Sequence, residues 1–159
     1  MKVSLLFPPT WHPSQPYLSL PSLTGFLAQG GVTNVSQRDL GIELLDKVVT
    51  QSYGAALYQE LVDKQRTLER ERTGETGSGS AEHLARVVES LDRFPYLIDR
   101  IEPAKETLRG EGFYDLESYK ESLFLIDKWL EVLSTLYFPT RLTVVDNQFG
   151  NYSIYSSKD

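Results

Sequence analysis

Residues suited to contacting a ligand are concentrated in a loop near the N-terminus. The run Lys2-Val-Ser-Leu-Leu-Phe7 is too short for a helix and ends at a double proline, so it predicts a buried strand. A stiff loop at the carboxyl end of the first strand of an open α/β sheet lies where such folds bind ligands. The alternative is a rigid connector that only covers the sheet edge. The candidate ligand-contacting residues in this region are Pro8, Pro9, Thr10, Trp11, Pro16 and Leu20.

Asp39 is a further candidate, because it ends a second predicted strand at the same edge of the sheet. A carboxylate in that position can accept a hydrogen bond from a hydroxyl of a nucleotide-like ligand. The alternative is that Asp39 caps the N-terminus of the helix that follows.

Composition excludes several kinds of chemistry. The chain has no cysteine, which rules out disulfides, iron–sulfur ligation, thiolate zinc sites and cysteine nucleophiles within it. Its two histidines, His12 and His83, are too few for a zinc site, and we predict that His83 lies at a helix surface. The net charge of −6 argues against a general nucleic-acid binder. We predict no catalytic residue and no metal ligand in this chain.

The elements that must position the candidate residues form a strand-helix-strand unit over residues 1–41. Pro21 suits the first turn of a helix, and Gly30-Gly31 suit its end. The segment Val32 to Asp39 then predicts the second strand. Such a unit packs as a parallel pair with a right-handed crossover.

Residues 42–138 predict a long helical insertion. Apolar spacing predicts helix from Ile42 to about Arg72, with Gly54 as a break, and Thr73 to Ser80 predict a flexible linker, either natural or engineered. We expect the next helix to begin after Ser80 as its N-cap and to break or kink at Pro95, with a further interruption at Pro103. The last helix is predicted to be capped by Asp115 and to stop at Pro139. Its predicted apolar stripe is Tyr119, Leu123, Ile126, Leu130, Leu133 and Tyr137, with Phe124 and Trp129 beside it, and its carboxylates Glu117, Glu121 and Asp127 are expected to face solvent.

Residues 139–159 predict a β-hairpin, with strands at Arg141 to Val145 and Tyr152 to Tyr155 around the turn residues Gly150-Asn151. The predicted fold class is therefore α+β, dominated by helix. It combines a partial Rossmann-like strand-helix-strand start, a long helical insertion and a C-terminal hairpin, as one domain or fragment over residues 1–159.

The opening of the chain resembles the N-terminal cobalamin-binding-like domain of radical S-adenosylmethionine proteins. The resemblance covers about the first quarter of the chain. The residues that carry it are the first strand, Pro8-Pro9, Pro16, Leu18-Ser-Leu-Pro-Ser-Leu23, Phe26-Leu-Ala28, Gly31 and Arg38-Asp-Leu40.

The resemblance implies that this chain binds a ligand or another domain and does not catalyse by itself. Cobalamin is the implied cofactor, whereas the iron–sulfur cluster and S-adenosylmethionine would belong to a part of the full-length protein outside this sequence. The sequence departs from the family in two respects. His12 has Thr10 two residues before it and Gln15 three after it, so it does not match the cobalt-ligating Asp-x-His-x-x-Gly motif, and the three-cysteine cluster motif is absent.

Two other functions remain open from the sequence. One is a helical protein-interaction or dimerisation module without a cofactor, and the other is the N-terminal half of a sugar-nucleotide transferase. The expected partners are the remaining domains of the full-length protein or a second copy, and not nucleic acid or a membrane. No stretch has transmembrane length or the h-region of a signal peptide, and we expect a cytoplasmic location.

Overall fold

The computed structural model describes residues 2–7, 18–72, 78–143 and 147–148. The described chain is dominated by helix, with short strands near both ends, so the α+β prediction is confirmed. The chain divides into two compact units, residues 1–47 and 48–159. The strands are β1 (Val3–Phe7), β2 (Val35–Asp39), β3 (Arg141–Leu142) and β4 (Asn147–Gln148). The helices are α1 (Ser19–Gln29), α2 (Leu40–Val48), α3 (Gln51–Arg72), α4 (Ser78–Ile98), α5 (Ile101–Arg109) and α6 (Leu116–Leu136), with a 3₁₀ turn at Glu111–Tyr114.

In the first unit, β1 and β2 pair in parallel and α1 connects them, as the sequence predicts. The prediction that the first strand is buried is wrong, because the residues of β1 alternate between half-buried and exposed. The predicted glycine stop is also confirmed, because Gly31 has a φ of +83°. Its N–H donates to the carbonyl of Ala28 (3.0 Å), and the N–H of Val32 donates to that of Leu27 (2.9 Å). These two bonds form a Schellman motif. The motif needs one residue in the left-handed conformation, which glycine adopts without steric cost.

The second unit is built around α3, α4, α5 and α6, which pack on one another. Trp129 of α6 is fully buried, and its indole Nε1 donates to the carbonyl of Val48 at 2.8 Å. The ring of Phe94 lies 5.7 Å from that of Trp129, centroid to centroid. Further buried apolar residues are Leu57, Leu61, Leu68, Leu84, Val87, Leu97, Ile101, Ala104, Leu125, Ile126, Leu130, Val132 and Leu133.

Gly54 does not break the helix predicted from Ile42 to Arg72. The break lies between Val48 and Gln51, where the hydroxyl of Thr50 accepts from the N–H of Tyr53 (3.1 Å) and caps α3. Gly54 lies inside α3 and is buried against Trp129. Glycine is present here because a side chain would collide with the indole, so the residue marks a helix contact and not a helix end.

Pro95 also fails to break its helix, since α4 runs through it to Ile98. Phe94 and Leu97, on either side of the proline, are both buried. Their packing outweighs the cost of proline in a helix, roughly 3 kcal/mol. α4 begins at Ser78, two residues before the predicted cap, whereas Pro103 falls in the first turn of α5, where its missing N–H costs little.

α6 begins where the sequence predicts, because the side chain of Asp115 accepts from the N–H of Ser118 at 3.0 Å. Its buried face differs from the predicted stripe. Trp129 lies at its centre, whereas Phe124 and Tyr137 are exposed. Glu117 and Glu121 are exposed as predicted, whereas Asp127 is partly buried.

His83 is buried, which corrects the prediction of a surface position. Its Nε2 lies 2.7 Å from the carbonyl oxygen of Thr135, to which it must donate, and its ring stacks on Phe138 with centroids 4.9 Å apart. Thr135 is in the last turn of α6, where carbonyls have no partner within the helix. The imidazole of His83 on α4 therefore supplies a hydrogen-bond donor to a carbonyl at the C-terminal end of α6.

β3 pairs with β4 in an antiparallel hairpin, Arg141 opposite Gln148. This second strand precedes the predicted one at Tyr152 to Tyr155, which lies outside the described residues. β3 is held to α6 by Ser134, whose buried hydroxyl accepts from the N–H of Leu142 (2.7 Å) and donates to the carbonyl of Leu130 (2.6 Å).

In the described part of the chain, no helix is long and apolar enough to cross a membrane.

Candidate functional site

The candidate site of the first unit is the carboxyl edge of the β1–β2 sheet. Phe7 and Asp39 end their strands and stand opposite each other in the parallel register. The two strand ends therefore lie at one edge, as the sequence predicts, and residues 8–17, which follow Phe7, lie outside the described residues. This is the edge at which open α/β sheets bind ligands.

Asp39 performs the alternative role considered for it, that of helix cap. Its Oδ1 accepts from the N–H of Gly41 (2.9 Å) and from that of Ile42 (3.2 Å). Both donors belong to the first turn of α2, whose first N–H groups have no partner within the helix. Asp39 thus joins the end of β2 to the start of α2, and it organises the edge whether or not a ligand is bound.

A second contact fixes the same corner. The guanidinium of Arg38 donates to the carboxylate of Glu43 through two of its nitrogens. Nε donates to Oε1 at 2.8 Å, and Nη2 donates to Oε2. This bidentate hydrogen bonding lowers the pKa of the Glu43 carboxyl below its ordinary range and raises that of Arg38. The pair fastens β2 to α2 on the solvent side, and its two charges compensate each other.

Leu20 is buried in the first turn of α1, and its carbonyl accepts from the hydroxyl of Thr24 at 2.8 Å. It therefore serves as a packing residue where the loop enters the helix. The structure brings the end of β1 and Asp39 to one edge. The other predicted contact residues, Pro8, Pro9, Thr10, Trp11 and Pro16, lie outside the described residues, as does His12.

Cobalamin is the cofactor that the resemblance implies for this edge. β1 and β2 end at one edge of a parallel pair, the kind of edge at which open α/β sheets bind ligands. The described side chains there add a helix cap, an ion pair and a packed leucine, none of which is a cobalt ligand. A corrin at this edge would be held by Pro8, Pro9, Thr10, Trp11 and Pro16 of the loop.

Sequence reasoning missed a groove in the second unit. It lies between α4 and α6 and is lined by arginines and glutamates that are far apart in the sequence. Single charged residues on helices are typical of solvated faces, so the pattern contains no signal of their convergence. Among the described residues, no group of three or more His, Asp or Glu side chains is arranged to hold a metal ion.

No protein-family model matches the sequence. Comparisons with curated proteins and with solved structures likewise give no match.

Proposed function

We propose that this chain is the N-terminal cobalamin-binding-like region of a radical S-adenosylmethionine enzyme. In this proposal the region binds a ligand or another domain and is not catalytic by itself. The observation that supports the proposal is the parallel pairing of β1 with β2 through α1, which brings the strand ends Phe7 and Asp39 to one edge. In the sequence, the double proline Pro8-Pro9 directly follows Phe7. The resemblance carried by Pro8-Pro9 and Arg38-Asp-Leu40 names the family.

Exposure of apolar side chains supports a role within a larger assembly. Parallel sheets are almost always covered on both faces, and a pair of strands leaves both outer edges unpaired. In the first unit, Leu6 of β1 is 57% exposed and Phe26 of α1 is 72% exposed. In this proposal, further strands and helices of the full-length protein would cover these residues.

The chemistry of such an enzyme would lie elsewhere in the full-length protein. Bound cobalamin would supply methyl transfer or radical rearrangement there. Within this chain, Asp39 would hold the start of α2 in position and the loop after Phe7 would contact the corrin. Cytoplasmic location is part of the same proposal.

Hydroxocobalamin provides the test. The longest product of this reading frame should retain corrin absorbance through gel filtration, and changing Trp11→Ala with Pro9→Ala should abolish the retention. Tyr96→Ser, a 50% exposed position in the second unit, is the matched control and should retain corrin like the wild type. A reading frame that stops near Asp159, or wild-type protein that elutes without corrin, would refute the cofactor role.

A dimerisation module without cofactor is the second candidate, and a patch at the start of α6 favours it. Phe113, Tyr114 and Leu116 are all exposed, and the ring of Phe113 meets that of Tyr119 edge to face at 5.4 Å between centroids. Clustered exposed aromatic residues are typical of interaction surfaces. Light scattering should then show a dimer that Tyr114→Ser with Leu116→Ser converts to a monomer, whereas a monomeric wild type excludes this candidate.

A further inference from the structure

A groove in the second unit has the shape and charge of an anion site. It runs between α4 and α6, is closed at one end by the turn before β3, and has a volume of about 450 Å³. Binding pockets for small molecules commonly occupy roughly 300–1,000 Å³. The buried hydroxyls of Ser90 and Thr135, 2.9 Å apart, lie along it.

Three cations converge on the carboxylate of Glu131 inside this groove, and one of them, Arg93, also donates from Nη2 to Oε1 of Glu89 at 2.5 Å. Lys128 Nζ lies 2.7 Å from Oε2 of Glu131, and Arg93 Nη1 lies 3.6 Å from the same oxygen. Arg141 Nη2 lies 3.4 Å from Oε1. These groups come from α4, α6 and β3, so only the folded unit brings them together.

The charges of the groove do not cancel. The described residues that line it include four cations, Arg86, Arg93, Lys128 and Arg141, against three carboxylates, Glu82, Glu89 and Glu131. The excess is positive, in a chain whose net charge is −6. Arg93, Lys128 and Arg141 share two carboxylates, Glu131 and Glu89. Because like charges close together are unfavourable, a further anion among the three cations would relieve the repulsion that remains.

One wall of the groove is aromatic. The guanidinium carbon of Arg86 lies 5.3 Å from the ring centroid of Phe138, which also stacks on buried His83. This contact holds Arg86 at the rim, and Pro139 extends the apolar wall. Guanidinium groups match the planar forks of carboxylates and phosphates. Phe138 and Pro139 together give a flat group an apolar wall.

We infer that this groove binds a small organic anion, a carboxylate or phosphate attached to a flat apolar group. The anion lies among Arg93, Lys128 and Arg141, and the flat group lies against Phe138. This site belongs to the second unit and is independent of the cofactor role proposed for the first.

Titration of the whole chain by calorimetry and amide NMR tests the inference. The probes are phenyl phosphate and benzoate, which separate the two anion types, with inorganic phosphate and benzyl alcohol as the anion-only and ring-only comparisons. At least one aromatic anion should saturate the site and bind more tightly than inorganic phosphate, and benzyl alcohol should not bind. Absence of saturable binding by both aromatic anions at about 10 mM, weaker than most specific recognition, overturns the inference.

Two substitutions separate a binding site from a salt-bridge network that only stabilises the fold. Arg141→Gln should weaken binding about threefold to fivefold, the size typical of one exposed charge interaction. Arg66→Gln, which removes an exposed arginine paired with Asp63 on α3, should leave binding unchanged. Glu131→Gln should tighten binding, because it removes the competing carboxylate. Weaker binding in Glu131→Gln protein whose circular dichroism is that of the wild type would overturn the assignment.

Discussion

Substituting Gly54 by alanine should destabilise the second unit, although alanine is the better helix former. An alanine Cβ at this position would lie 2.5 Å from Cη2 of Trp129 and 3.3 Å from Cζ of Phe94. Carbon atoms pack at roughly 3.5 Å or more, so the indole would have to withdraw by about 1 Å. The hydrogen bond from Trp129 to the carbonyl of Val48 and the complete burial of the ring oppose that movement.

The magnitude follows from two opposing effects. Overpacking a core costs typically 1–3 kcal/mol, and we expect about 3 kcal/mol here because the obstructing ring is rigid and anchored. Replacing glycine inside a helix returns about 1 kcal/mol. The net loss is therefore about 2 kcal/mol, which lowers the midpoint of thermal unfolding by about 4–8 °C in a chain of this size.

Urea unfolding followed by tryptophan fluorescence, together with hydrogen exchange of α3, measures this loss. Gly25→Ala is the matched control, because no atom of the described residues beyond its own helical backbone lies within 4 Å of its Cβ position. This substitution should stabilise α1 locally by up to about 1 kcal/mol. In a Trp129→Phe background the shorter ring should remove most of the cost of Gly54→Ala. A Gly54→Ala protein as stable as the wild type would refute the reasoning.

Three further substitutions test contacts of the helical unit. His83→Ala leaves the carbonyl of Thr135 without its donor and removes the partner of Phe138, so urea denaturation should show a loss of about 1–3 kcal/mol; no loss would mean that the imidazole is dispensable. Ser134→Ala removes the acceptor of a β3 N–H, so hydrogen exchange at Leu142 should accelerate, while unchanged protection would disprove the attachment. The hydroxyl and N–H of Ser118 lower the pKa of Asp115, so its contribution to stability is present above the ordinary pKa of 3.8 and is lost as the pH falls through the lower folded value. The urea midpoint of Asp115→Asn should therefore lie below that of the wild type at neutral pH and approach it in acid, and a pH-independent gap would contradict this.

Local features of the fold were predictable because each depends on a few adjacent residues. The glycine pair after α1 ends that helix, and the aspartate before α6 begins the other. Gly31 and Asp115 each act through hydrogen bonds to residues close to them in the sequence. The parallel pairing of β1 and β2 followed from a short apolar run and a second predicted strand separated by one helix. At the candidate edge, Asp39 ends β2 as predicted, and two short distances that spacing does not contain show that it caps α2.

Only the tertiary structure decided which residues meet across helices. Pro95 and Gly54 are local signals for a break, yet packing of Phe94 and Trp129 outweighs both. His83 is buried because its imidazole donates to the carbonyl of Thr135 at the end of α6. The cations around Glu131 come from three elements, and their distances depend on how those elements pack. The sequence by itself determined the order of the elements and several of their ends, because these depend on neighbours along the chain. The core, the buried polar contacts and the anion groove depend on residues distant in sequence, so the tertiary structure alone decided them.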